Sequence, residues 1–207
     1  APSSYSTTGT GAAEHLIVAG GPFFGPAVDG EADGQPTAGA TGDDTHGATP
    51  DDEDGITFNT PLNPGQASVD VDMRYSPVGG NVSAWIDANR DGDFTDTGEQ
   101  VLTDAAVTAG SIQTLTFTVP AAVVPGASYA RFRINTAGGL SYNGAAADGE
   151  VEDYAVTMPK PAVVVGDHVL LANALNPNFA IPVTGGHLVQ GGDFYFQVED
   201  GGPLAGG

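Results

Sequence analysis

Five segments of this chain alternate apolar and polar side chains with a period of two, the spacing that sends one set to each face of an extended strand. Val69, Val71 and Met73 alternate with Asp70, Asp72 and Arg74, and Val82, Ala84 and Ile86 alternate with Ser83, Trp85 and Asp87. Leu115, Phe117 and Val119 alternate with Thr114, Thr116 and Thr118, and Ala130, Phe132 and Ile134 alternate with Tyr129, Arg131 and Arg133. The last set is Tyr154, Val156 and Met158 against Asp153, Ala155 and Thr157. A strand with one apolar face needs a second layer to cover it, so these segments predict an all-β fold, an antiparallel β-sandwich. The 31 Gly and 15 Pro leave hardly any helix-forming stretch free of them, which favours short strands and turns.

The charge balance narrows the partners. With 26 Asp+Glu against 5 Lys+Arg the formal charge is −21, so the chain has no clustered cations to hold a nucleic-acid backbone or an anionic membrane. A 40% hydrophobic content in alternating runs distinguishes it from an acidic disordered tail and lets it bury a core. There is no Cys, which excludes disulfide staples, thiolate metal sites and cysteine nucleophiles together. No apolar run approaches the roughly 18 to 20 residues of a membrane helix, so no membrane insertion is expected. The chain starts at Ala1 without a Met, which fits the mature end left by a signal peptidase, and the expected localisation is secreted, extracellular or cell-surface.

Along the chain, residues 15–18 are the first strand expected, and residues 20–55 read as a loop. A bare connection of that length is unusual inside a compact domain, so the loop should be functional, metal-organised or disordered. Pro159-Lys160-Pro161 is stiff and cannot pair, and it divides a sandwich domain at 1–158 from a C-terminal β extension at 159–207. Strands are expected in that extension at 163–165, 168–172, 180–184 and 194–198, too few to close a sandwich alone.

The carboxylates carry the chemistry. In Asp87-Ala88-Asn89-Arg90-Asp91-Gly92-Asp93 and on to Glu99, side-chain oxygens at 87, 89 and 91 converge when Gly92 lets the backbone turn, and Glu99 can close the shell. This is calcium chemistry, with Asp87, Asn89, Asp91 and Glu99 as side-chain ligands and Asp93 giving side chain or carbonyl. Glu99 stands at position 13 rather than 12 and the flanks are strand-like, so the expectation is an EF-hand-like loop in a β-hairpin. An acidic hairpin turn without metal is the alternative.

A second set is Asp29, Glu31, Asp33, Asp43, Asp44, Asp51, Asp52, Glu53 and Asp54, nine carboxylates that repel one another unless cations or protons intervene. Bound calcium would order this loop, with Asp29, Glu31, Asp33, Asp43, Asp44, Asp52 and Asp54 as candidate ligands; a solvated acidic loop is the alternative. In the third set, Glu150 and Glu152 share one face of a strand and could meet Arg131 and Arg133 across a strand pair, while Glu150 and Asp153 are also candidate metal ligands.

Several of these motifs occur in one order: Asp33-Gly34-Gln35-Pro36, Gly42-Asp43-Asp44, Asp51-Asp52-Glu53-Asp54-Gly55-Ile56, Trp85-Ile86-Asp87 through Gly98-Glu99, Ala130-Arg131-Phe132-Arg133, and Gly149-Glu150-Val151-Glu152-Asp153-Tyr154. Together they resemble the GEVED domain of secreted and surface-attached bacterial proteins, over about residues 1–158. The resemblance implies a calcium-binding β-sandwich module, repeated or appended in large extracellular proteins, with no catalytic activity. Members commonly carry an acidic, aromatic segment just before the position of Ala1; it is not in this sequence, and an edge strand would go with it. The segment from Leu188-Val189-Gln190 to Gly202 resembles the opening strands of cohesin-like modules, which implies that the tail draws partner strands from elsewhere.

The expected function is therefore a non-catalytic extracellular calcium-binding structural module, a cell-surface or filament-forming subunit assembled as a homo-oligomer by strand addition through its C-terminal strands. A carbohydrate-binding or adhesion module is the alternative, with a surface glycan stacked on Trp85 or the tyrosines, although packing suits Trp85 better beside the loop. A glycoside hydrolase using Glu150 and Glu152 ranks below both. His15, His46, His168 and His187 lack zinc spacing, and no Gly-x-Ser-x-Gly is present.

Overall fold

The computed structural model describes residues 1–28, 30, 34, 36–41 and 55–160, with strand backbones at 163–165, 168–170, 188–189 and 195–196. The chain divides into two compact units, Ala1–Pro159 and Lys160–Gly207. In the first, among the described residues, a 3-10 turn at Ser3–Tyr5 precedes nine strands: β1 Ala13–His15, β2 Ile56–Phe58, β3 Gly65–Asp72, β4 Gly80–Ile86, β5 Gln100–Val107, β6 Ile112–Val119, β7 Gly126–Asn135, β8 Gly144–Ala146 and β9 Glu150–Met158. In the second, β10 Val163–Val165 pairs antiparallel with β11 His168–Leu170, and β12 Leu188–Val189 with β13 Tyr195–Phe196.

Two antiparallel sheets make the sandwich, one ordered β2-β3-β6 and the other β5-β4-β7-β9. The alternating apolar sets build its interior. Val69, Val71 and Met73 from the first sheet lie in one buried cluster with Val82, Ala84, Ile86, Ala130, Phe132 and Ile134 from the second. Phe132 is fully buried and meets Phe58 and Tyr154 edge-on at 5.9 and 6.0 Å. Each such large side chain contributes roughly 1.5–3 kcal/mol by leaving water, which holds the sheets face to face.

Three expectations change. The first strand ends at His15, and Leu16, Ile17 and Val18 are exposed, because its parallel partner β8 is only three residues long and stops at Ala146. Strand β5 was hidden from the period-two reading because its register against β4 slips twice, between Val82 and Ala84 and between Ala84 and Trp85. Asp104 takes φ 47 in this strand, and the slips put both Leu102 and Val107 on the buried side.

The third change concerns the charged strand faces. Arg131 lies opposite Asp153 and Arg133 opposite Val151, so Glu150 and Glu152 project to the other side of β9, with Tyr154 and the core. They do not meet the arginines. Their parity already matches Tyr154, Val156 and Met158, and a register that turns both this set and Ala130, Phe132 and Ile134 to the core turns Glu150 and Glu152 there too. Instead Glu150 accepts the Phe24 N–H, and Glu152 accepts the Gly55 N–H at 3.2 Å and the Tyr154 hydroxyl at 2.7 Å. The two glutamates thus fix the ends of the long acidic stretch. Gly149, just before them, has φ 88, and a β-carbon there would strike the Ile134 carbonyl.

Candidate metal centre

The polar face of the four-stranded sheet is not a solvent face. Residues from both the N-terminal segment and the stretch after β7 lie on it, and Ala1, Tyr5, Trp85 and Phe94 form a second buried cluster with Tyr129, Leu140 and Tyr142 at its edge. Trp85 is therefore packed. Arg131 is buried beneath this layer and forms a bidentate pair with Asp153, at 2.7 and 2.6 Å, while its Nη1 donates to the carbonyls of Tyr5 and Tyr142. The Ala1 ammonium also reaches Asp153, at 2.9 Å. Burial alone would push the Asp153 carboxyl up; Arg131 and that ammonium outweigh it and hold the group below its ordinary range.

The loop between β4 and β5 holds the other buried carboxylates. Asp87 is fully buried, Glu99 is 2% exposed, and Asp91 lies at the surface. One carboxylate oxygen from each lies within 4.8 Å of the others. The sequence builds this locally. Asp87 accepts the Arg90 N–H at 2.5 Å and the Gly92 N–H at 3.1 Å, a wrap that puts Gly92 at φ 99 and draws Asp91 back over Asp87. Glu99 is turned inward by the N–H groups of Ala88 and Asp96, at 3.0 and 3.2 Å. Burial first, and then the charges of Asp87 and Asp91, push Glu99 up to about 7 against those two donors.

Of the loop residues expected as ligands, Asp87, Asp91 and Glu99 converge, whereas Asn89 and Asp93 are engaged in the turn itself. The Asn89 side-chain oxygen accepts the Asp91 N–H at 2.9 Å, and its amide donates to Asp91 and Asp96. Asp93 accepts from the N–H and hydroxyl of Thr95 at 2.8 and 2.6 Å. Asp153 and Glu150 sit apart from the triad, on the Arg131 pair and the Phe24 N–H. Asp29, Glu31, Asp33, Asp43, Asp44, Asp52 and Asp54 lie outside the described residues.

Two participants were not anticipated. Tyr5 donates its hydroxyl to Asp87 at 2.5 Å and stacks against Phe94 and Tyr129, each at 4.9 Å. Burial and then the Asp87 contact hold its phenol far above the ordinary range, so it stays a donor. Asp96 reaches the loop through Asn89. Asp96 lay within the acidic run, but the Tyr5 contact spans 82 positions and no local pattern announces it.

The donor set fits a hard divalent cation. It is all oxygen, it carries three formal negative charges, and among the described residues no ion pair reaches Asp87, Asp91 or Glu99. Arg90 does not neutralise them, since its guanidinium donates to the Ala127 and Pro125 carbonyls at 2.7 and 2.8 Å. Residues 81–157 match the GEVED domain. The GEVED match starts one residue inside β4 and ends one residue short of the end of β9, so it contains the acidic loop, both buried arginines and the Gly149–Asp153 motif. It is shorter than the stretch the motifs suggested and leaves out the first sheet except β6. The GEVED domain is a module of secreted and surface-type proteins. No curated protein and no solved structure matches the chain. Among the described residues, no helix is long and apolar enough to cross a membrane.

Proposed function

We propose that this chain is a non-catalytic calcium-binding structural module of secreted or surface-attached proteins, in which the ion acts as a staple at the β4–β5 loop. The observation that carries this reading is the pair of buried carboxylates, Asp87 and Glu99, joined by Asp91 and met by N–H and O–H donors without a countercharge among the described residues. Two buried anions side by side are costly unless a cation or a proton joins them, a cost that the raised Glu99 carboxyl reflects. Asp87, Asp91 and Glu99 would hold the ion, and calcium suits a site of carboxylates on a turn better than magnesium, which demands a near-ideal octahedron. The ion would supply charge neutralisation and a link between the ends of β4 and β5.

The absence of a catalytic role rests on how the remaining buried acids are used: Glu150, Glu152 and Asp153 are engaged by N–H groups, a hydroxyl and a guanidinium in the fold itself. A filament subunit is the form of this function favoured by the second unit. Its described strands are two short antiparallel pairs, and a lone two-stranded ladder is marginal in water without further strands to join. Electron microscopy of the full chain with and without calcium separates fibre from free module.

Calcium at 100 times its Kd should stabilise the chain by about 2.7 kcal/mol, which is roughly 5 to 10 °C in melting temperature for a chain of this size. Asp91→Ala should abolish that shift and the calorimetric heat of calcium binding. Identical melting of the parent in calcium and in chelator would refute the staple.

A further inference from the structure

Arg133 is fully buried, and the described structure satisfies its guanidinium without a carboxylate. Its Nη1 donates to the carbonyls of Ser141 and Asn143 at 2.7 and 2.8 Å, and its Nη2 to those of Gly144 and Glu14 at 2.7 and 3.2 Å. The fifth donor, Nε, points at His15 Nε2 at 2.9 Å. A guanidinium nitrogen has no lone pair, so His15 Nε2 must accept. The other ring nitrogen, Nδ1, lies 2.8 Å from the Asp148 carbonyl, which can only accept. One form of the ring satisfies both neighbours, the neutral imidazole with its proton on Nδ1.

His15 ends β1, a short strand also held by the Ala13 N–H on the Ser6 carbonyl at 3.1 Å and by Arg133 on the Glu14 carbonyl. Its ladder with β8 covers three residues, Ala13 opposite Gly144 through His15 opposite Ala146, extended by the Leu16 N–H to the Ala146 carbonyl at 3.1 Å. Protonated Nε2 would present an N–H to the Nε–H of a buried cation. We propose that His15 is an acid-released latch: as neutral imidazole it ties β1 to Arg133 and the Asp148 carbonyl, and on protonation β1 leaves β8 while the sandwich stays folded.

The charges around the ring favour release. Arg133 and, behind it, Arg131 face it from β7, and both disfavour a second positive charge. Asp153 offers the ring no relief, since Arg131 takes it up, and Glu14, beside His15 on β1, is exposed. Asp148 opposes this through its carbonyl and its charge, which both raise the ring, but burial and Arg133 outweigh it, and its carboxylate is engaged by the N–H and hydroxyl of Thr136 at 3.0 and 2.5 Å. Burial first, then Arg133, lowers the ring from 6.5 to about 4. The released ring binds its proton more readily than the docked one, so docking is favoured above about 6.5 and is lost as pH falls towards about 4. One proton is taken up on release, so the docking equilibrium falls about tenfold per pH unit in that window.

The test is amide hydrogen exchange on the full chain, corrected for intrinsic rates, read at residues 13–16 and 144–146 between pH 6.5 and 4.5, in the parent and in His15→Gln. Gln offers both donor and acceptor but does not titrate. Protection in the parent should fall roughly 40-fold over those two units, with protection of β4 and β7 retained, and the Gln variant should stay flat. Unchanged parent protection, or an equal fall in the variant, overturns the latch. Imidazole nitrogen resonances of the parent decide the matter independently of whether Gln docks: a proton on Nδ1 at pH 7 with an apparent pKa below 5 supports it, and an Nε2 proton or an ordinary pKa sinks it.

Discussion

The outer face of the four-stranded sheet buries carboxylates in two places and treats them in opposite ways. At Asp153, a guanidinium and an ammonium close on one carboxylate. At the β4–β5 loop, Asp87, Asp91 and Glu99 gather with N–H and O–H donors alone. The cost of taking an anion out of water is of the same kind in both. The first site has its countercharges as the chain folds, whereas among the described residues the second has none and could hold a metal ion. The chain has 5 Lys+Arg, and the four arginines are committed elsewhere: Arg74 to Asp72, Arg90 to carbonyls, Arg131 to Asp153, and Arg133 to carbonyls and His15. A net charge of −21 is thus a structural statement, since surplus acid is left where an external cation can answer it.

The comparison breaks most visibly at Asp153. Asp153→Ala should leave Arg131 buried without its anion, which costs about 3–5 kcal/mol and roughly 6 to 20 °C in melting temperature. Denaturant titration of parent and variant measures it. A loss below about 1 kcal/mol would mean that the carbonyls of Tyr5 and Tyr142 suffice for Arg131 as carbonyls and an imidazole do for Arg133, and the completeness of this site would then owe nothing to its carboxylate.

How much of this was legible follows from where the signals are local. The sandwich was readable because five strands keep a strict alternation, and the triad because Asp87, Asp91, Gly92 and Glu99 lie within one turn of chain. Strand β5 was not, since its two register slips scramble parity. The burial of Arg131 and Arg133 was also invisible. Their alternation says only that they share a face, and what covers that face is Tyr5, His15 and Tyr142, contributed by segments with no periodicity of their own. Glu150 and Glu152 show the reverse case: parity placed them with the core, and expecting them opposite the arginines overrode it.

Tyr5 joins the two regions, its hydroxyl on Asp87 and its carbonyl on Arg131. Tyr5→Phe removes the first contact and keeps the second, along with the ring packing on Phe94 and Tyr129. A hydrogen bond to a charged acceptor contributes about 1.5–3 kcal/mol, so in chelator the variant should melt a few degrees lower. If stability is unchanged, Asp87 is served by its backbone donors alone and the two regions are energetically independent.

The smallest effect sharpens the comparison by changing only the solvent. Arg74 and Asp72 repeat the guanidinium–carboxylate geometry of the buried pair, with Nε at 3.0 Å from both oxygens and Nη2 at 2.6 Å, but the Arg74 side chain is 53% exposed. Here the Arg74 side-chain hydrogen bonds, with its N–H and charge, lower the Asp72 carboxyl against the opposing effect of burial. Water screens the attraction and solvates whichever partner is left, so Asp72→Ala should cost no more than about 1 kcal/mol, and added salt should reduce even that. Measured beside Asp153→Ala, the same chemical deletion would then differ several-fold for one physical reason: whether the abandoned guanidinium can reach water. Equal costs at the two sites would show that contact geometry governs these pairs, and the case for a cation at Asp87, Asp91 and Glu99, which rests on the cost of burying charge, would lose its footing.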